Sequence, residues 1–255
     1  GQGGLICSDD LAQYQVEERT PLSLGFQGCE ILLNPQPASS GVLIAHTLSQ
    51  PDISTCDGLV KAMKATGMER HQLLDSPSSG STTHLSVIDV DGNAASLTMT
   101  NGEGCGSLLP GFGFMMNNVL GEEDLNPAGF HRHRPGQRLP SMMAPTIVLK
   151  EGVPVLATGT GGSNRIRSVI IQVLINILQK GMTLEEATLA PRMHYDGQIL
   201  QVEPGFADQD MNQLRAITSV NVWDCPSLYF GGAHSVTPEG GFGDPRRSGY
   251  ALSFS

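Results

Sequence analysis

The chain has 255 residues, a formal net charge of −10, 16% charged residues and 31 glycines. So acidic a chain lacks the basic stripe that a phosphate backbone requires, and no apolar run approaches the ~18 residues of a membrane-spanning helix. Charge is spread evenly: residues 1–81 carry 4 basic and 9 acidic side chains and residues 82–255 carry 11 and 16, so each part is −5 and neither is a charged tail.

Gly1-Gln2-Gly3-Gly4 reads as loop rather than a natural start, and no signal peptide is visible there. Ser8 is expected to cap a short helix through Tyr14. Thr20 to Leu33 reads as strand-like segments with a turn near Gly28, and Asn34-Pro35-Gln36-Pro37 as an extended connection. Helices are expected from Val42 to Leu48 and from Leu59 to Met68. Asp75 to Ser81 has the composition of an exposed linker and is the clearest boundary in the chain.

Beyond it, Leu85–Val90 and Ala94–Thr100 are expected strands around Asp91-Gly92-Asn93. A second hairpin is expected from Thr146–Leu149 and Pro154–Thr158 around Lys150-Glu151-Gly152. Ser168 to Lys180 has the apolar spacing of a largely buried helix, stopped by Gly181. Thr183-Leu184-Glu185-Glu186 is a capping box, and Ile199–Glu203 reads as a strand. Hairpins with a few long helices indicate an α+β layered fold.

Five cysteines, Cys7, Cys29, Cys56, Cys105 and Cys225, are widely spaced and include no C-x-x-C. They are expected to be buried small hydrophobes rather than disulfides or zinc ligands. His131-Arg132-His133-Arg134 has H-x-H spacing, but interleaved arginines repel a cation. No G-x-S-x-G is present, and Met115-Met116 and Met142-Met143 read as core fillers.

The chemistry concentrates at Ser81-Thr82-Thr83-His84, where a small-residue linker ends and a strand begins with threonine. A threonine hydroxyl needs a base, and one solution is its own α-amine, freed by cutting the chain just before it. If Asp91-Gly92-Asn93 is a three-residue loop, Thr100 lies opposite His84 and diagonal to Thr82 on the same face; a two-residue turn flips that parity. His84 is expected to pack or hydrogen-bond rather than act as a base. Thr158-Gly159-Thr160-Gly161-Gly162-Ser163 leaves a strand for a helix, and its glycines let backbone N–H groups approach a developing oxyanion. It lacks the lysine of a phosphate loop.

These residues resemble the gamma-glutamyltransferase family of N-terminal-nucleophile hydrolases. Thr82 to Val87, Asp91-Gly92-Asn93-Ala94, Asn117-Asn118, Ser141 to Thr146, Thr158 to Arg165, Ala190-Pro191-Arg192 and Gly243 to Arg247 match successive blocks of its small subunit. Asp10 to Tyr14, Glu18 to Leu22 and Pro37 to Gly41 match the end of its large subunit. The resemblance implies an αββα sandwich with the N-terminal part of the large subunit missing. Residues 1–81 would be the large-subunit tail with its processing linker, and residues 82–255 the small, catalytic subunit. It further implies self-cleavage between Ser81 and Thr82, Thr82 as nucleophile, Thr100 as its support, and Gly161 and Gly162 as oxyanion donors. Ser141 would touch the glutamyl carboxylate. The acid that binds the substrate amine would be Glu122 if the alignment is ungapped, or Asp124 with a two-residue insertion.

The family's second serine is Pro140 here, and its asparagine after the supporting threonine is Gly102, with Asn101 one place early. The family's carboxylate-binding arginine is not in this chain; Arg165 and Arg138 read as structural or surface residues. The expected reaction is transfer of a γ-glutamyl group from glutathione-like amides to water or an amine. It would involve paired subunits, no metal or organic cofactor, no nucleic acid and no membrane span. Two alternatives are an amidase or acylase of the same fold on a non-glutamyl substrate, and an inactive, unprocessed remnant.

Overall fold

The computed structural model describes residues 6–69, 82–122, 125–126 and 129–254. Helix α1 (Ser8–Gln13) starts at Cys7, whose backbone N–H donates to the Asp10 carboxylate, so Ser8 is its first turn and not its cap. Strands β1 (Leu22–Phe26) and β2 (Cys29–Leu33) pair through Gln27-Gly28, both at positive φ (51° and 75°), a conformation glycine adopts without strain. Helices α2 (Ser40–Leu48) and α3 (Cys56–Glu69) follow.

Strands β3 (Thr82–Ile88) and β4 (Ala94–Thr100) form the first expected hairpin, two residues out of the expected register. The loop is Val90-Asp91-Gly92, because the Asp89 carboxylate accepts the backbone N–H groups of Asp91 and Asn93 and the Asn93 amide. Asp89 N–H also bonds the Asn93 carbonyl. A two-residue shift preserves the faces, so Thr82 stands directly opposite Thr100 instead of diagonal to it. The second hairpin, β5 (Thr146–Lys150) and β6 (Val153–Gly159), closes on Glu151-Gly152 alone, with a register shift at Val148/Leu149 absorbing the difference.

Helix α4 (Arg165–Leu174) then runs into a π-helical turn, Ile175–Gln179, before Gly181 ends the segment. The Thr183–Glu186 capping box opens α5 (Leu184–Leu189) as expected. Strands β7 (Met193–Tyr195) and β8 (Leu200–Val202), helix α6 (Asp208–Ile217) and strand β9 (Val220–Val222) make a small three-stranded unit. Strands β10 (His234–Thr237) and β11 (Gly240–Gly243) follow, and a 3-10 turn, Pro245–Arg247, comes after them.

A six-stranded antiparallel sheet, β1-β2-β5-β6-β10-β11, is the middle layer. On one face lie α2 and α4, with α3 and α6 beyond them, around a core that includes Ile31, Ile44, Val148, Leu156, Ile170 and Leu174. The β3–β4 hairpin packs on the other face, against β6 and β10. Its inner side is polar: Ser96 Oγ donates to the Thr158 carbonyl and Ser86 Oγ to the His234 carbonyl. Its outer side is apolar and open, with Leu85 56% and Met99 52% exposed and Val87 and Leu97 beside them. Among the described residues no helix covers that side, and none is long and apolar enough to cross a membrane.

The cysteines differ from expectation. Cys7, Cys105 and Cys225 are exposed and Cys29 and Cys56 half-buried, all as free thiols; the first three lie outside the helices and strands that build the core. Met142 is a core residue, whereas Met116 is exposed on the loop beyond β4.

Candidate active site

The hydroxyl of Thr82, at the start of β3, lies 2.9 Å from that of Thr100, at the end of β4. The Gly102 N–H donates to Thr100 Oγ1 (3.0 Å), which leaves the Thr100 proton free to be donated to Thr82. Both threonines line a cavity of about 270 Å³ whose wall also includes Gly102, Glu103, Glu122, Ser141 and Ser163. Val119, Leu125, Leu139, Pro140, Met142, Met143 and Ile166 make its apolar part, and no lysine, arginine or histidine lines it among the described residues.

Gly161 of the glycine turn stands next to Thr82, although neither Gly161 nor Gly162 is among the residues lining the cavity. A Cβ at Gly161 would sit 2.5 Å from the Thr82 carbonyl oxygen, so only glycine permits this approach. Arg247 reaches the same carbonyl, its Nη1 donating at 3.5 Å and lying 3.0 Å from where a Gly161 Cβ would be. Burial and the neighbouring Arg165 charge hold the Arg247 pKa below its usual value, with Asp244 opposing them.

His84 is not poised as a base. It is 6% exposed, its ring seated over Gly159 with Nδ1 2.8 Å from Thr98 Oγ1 and Nε2 2.8 Å from Ser86 Oγ. Burial first, and the charge of His234 second, push its pKa down to about 4, so the ring is neutral at ordinary pH.

Ser141 Oγ accepts the Met143 N–H (3.0 Å) and retains a proton to donate into the cavity. Glu122 is in the wall, its Oε1 against Gly102, where a Cβ would fall 2.7 Å away. Asn101 is exposed and is not among the lining residues; its carbonyl accepts from Asn118 and Gly104 instead. Ser81 and Asp124 lie outside the described residues. Arg165 is buried, donating to the Tyr229 carbonyl and stacked 4.7 Å from that ring, while Arg138 pairs with Glu17; neither lines the cavity. His133 bonds the Leu125 carbonyl, and among the described residues no group of His, Cys, Asp and Glu has a metal-holding arrangement.

Two features escaped the sequence reading. Glu103 joins the wall with no motif to mark it. Behind the site, Arg192, Arg246, Glu203 and Asp244 form a buried ion network: Asp244 takes Arg192 at 2.5 Å and Glu203 takes Arg246 at 2.7 Å. Ala190-Pro191-Arg192 and Asp244-Pro245-Arg246-Arg247 were visible as blocks, but nothing in either string says that they meet.

The sequence pattern described as gamma-glutamyltranspeptidase matches residues 47–254. The glutathione hydrolase proenzyme of Escherichia coli (strain K12) is 28% identical over 281 residues, covering 84% of this chain and 48% of that protein. The acylase ACY 1 proenzyme of Pseudomonas sp. (strain SE83) is 31% identical over 257 residues, covering 81% and 46%. The chain thus spans about half the length of these curated relatives. The crystal structure of cephalosporin acylase from Bacillus halodurans matches with a TM-score of 0.78 at 22% identity, over 100% of this chain and 56% of that one. The fold is α+β, of the N-terminal-nucleophile hydrolase type.

Proposed function

Since the chain belongs to the gamma-glutamyltranspeptidase family, we propose that it carries the acyl-transfer site of a self-processing threonine enzyme acting on γ-glutamyl amides such as glutathione. The observation that carries this reading is the Thr82–Thr100 hydroxyl pair, at the start of a strand and in the wall of the cavity.

Cleavage of the Ser81–Thr82 bond would free the Thr82 amine to take the hydroxyl proton. Thr82 Oγ1 then attacks the γ-amide carbonyl, and the Gly161 and Gly162 N–H groups receive the oxyanion. The amine leaving group departs with the proton, and water or an acceptor amine releases the acyl-threonine ester. Glu122 meets the ammonium of the glutamyl group, and Ser141 donates to its carboxylate. Residues 1–81 and 82–255 would be the two products of processing. The open apolar side of β3–β4 is the surface against which further chain of such a proenzyme would pack.

The chain and its Thr82→Ala variant, run on a denaturing gel, test this. Two fragments, one beginning at Thr82, are expected from the first and a single band from the second. A single band from both refutes self-processing. The second reading, an acylase on a non-glutamyl substrate, is favoured by Pro140 and Val119 in the wall. Release of p-nitroaniline from the glutaryl anilide but not the γ-glutamyl anilide would select it.

A further inference from the structure

We propose that Thr160 is a positioning residue that locks the peptide between Gly161 and Gly162, so that the Gly162 N–H is aimed before charge develops. The proposal rests on the acyl-transfer reading above. Thr160 is completely buried. Its hydroxyl donates to the Gly161 carbonyl at 2.8 Å and accepts the Gly232 N–H at 2.9 Å. The Gly161 carbonyl is seated against Gly231, where a Cβ would fall 2.8 Å from it and 2.8 Å from Thr160 Oγ1.

In a trans peptide the carbonyl and the following N–H point in opposite directions. Holding the Gly161 carbonyl against the 231–232 turn therefore turns the Gly162 N–H away from that turn. Gly162 has φ 132° and neither glycine has a side chain, so the residues themselves do little to resist a flip of this peptide. A flipped peptide would present its carbonyl oxygen where the N–H belongs, repelling an oxyanion instead of stabilising it.

The turn that receives Thr160 is itself fixed. Ala233 N–H donates to the Asp244 carboxylate at 3.0 Å, and Arg192 donates to the Phe230 carbonyl at 3.1 Å. Arg192 and Asp244 are paired and buried. The buried ion pair thus anchors the 231–232 turn, the turn anchors Thr160, and Thr160 anchors the donor peptide. Thr160 touches no reacting atom in this arrangement, and its contribution is to the aim of a neighbour.

Thr160→Val keeps the shape and removes the hydroxyl, and Thr160→Ser restores it. Steady-state kinetics on whichever acyl anilide the wild-type chain turns over, with backbone amide exchange at Gly232 by NMR, test the idea. The Val variant is expected to lose about 30–100-fold in kcat, somewhat less than removal of a whole oxyanion donor, with KM unchanged. Gly232 should exchange about tenfold faster or more, as expected for a lost hydrogen bond in an otherwise folded chain. The Ser variant should keep kcat within about threefold, because the hydroxyl is retained. Thr160→Ala, read the same way, stands in if the Val chain does not fold. Wild-type kcat in the Val variant, equal losses in Val and Ser, or unchanged exchange at Gly232 overturns the proposal. A wild-type chain inactive on both anilides refutes the acyl-transfer reading instead, and Gly232 exchange then still decides whether Thr160 holds the turn.

Discussion

Lowering the pH from 7 to 4.5 protonates His84 in the unfolded chain, where an imidazole titrates near 6.5, but leaves most of it neutral in the fold, where its pKa is about 4. The folded state then binds fewer protons than the unfolded one, so acid favours unfolding. The stabilisation is complete above pH 6.5 and is lost as pH falls from there toward 4. Two pH units at about 1.36 kcal/mol each, reduced slightly by partial protonation of the folded state, give a loss of about 2.5 kcal/mol at pH 4.5. The cost comes first from burial of the ring and second from the charge of His234. Urea unfolding of the wild-type chain and of His84→Gln, at pH 7 and at pH 4.5, isolates this contribution, because other titrating groups cancel between the two proteins. The wild type should lose about 2.5 kcal/mol more than the variant. Equal losses would refute the claim that His84 is held neutral by burial.

Three further outcomes are expected. Thr100→Val removes the hydroxyl 2.9 Å from Thr82 and should lower kcat on the order of 10²-fold while leaving the melting temperature nearly unchanged. Gly159→Ala puts a methyl group into the His84 ring, and overpacking of about 1–3 kcal/mol should appear as a lower melting temperature. Asp244→Asn leaves the buried Arg192 guanidinium without its carboxylate, and a loss of about 3–5 kcal/mol should be read from urea unfolding.

Much of the local structure was legible in residue order. The turns at Gly92 and Gly152 marked two hairpins, the turn near Gly28 marked the strand-like segments that pair as β1 and β2, and the Thr183–Glu186 capping box marked α5. Strands β10 and β11 were not legible, because a glycine-rich run such as Gly240–Gly243 has no pattern of its own and becomes a strand only by pairing with β10. Helix α6 escaped for a related reason. Its face is mostly polar, with only Met211 and Leu214 buried.

Alone, the sequence singled out the residues to which chemistry is assigned in the proposed function: a threonine opening a strand, a second threonine ending the next, and a glycine pair between strand and helix. Those are local facts of backbone freedom and side-chain type. The tertiary structure decided how they face one another. The Asp89 carboxylate, by closing a different loop, shifted the hairpin two residues and brought Thr100 directly opposite Thr82. Close packing put Gly161 against the Thr82 carbonyl, and Asn101 outside the cavity while Glu103 joined its wall. Arg192 met Asp244 across 52 residues of chain because two buried charges are stable only when each satisfies the other, a condition that residue order does not express.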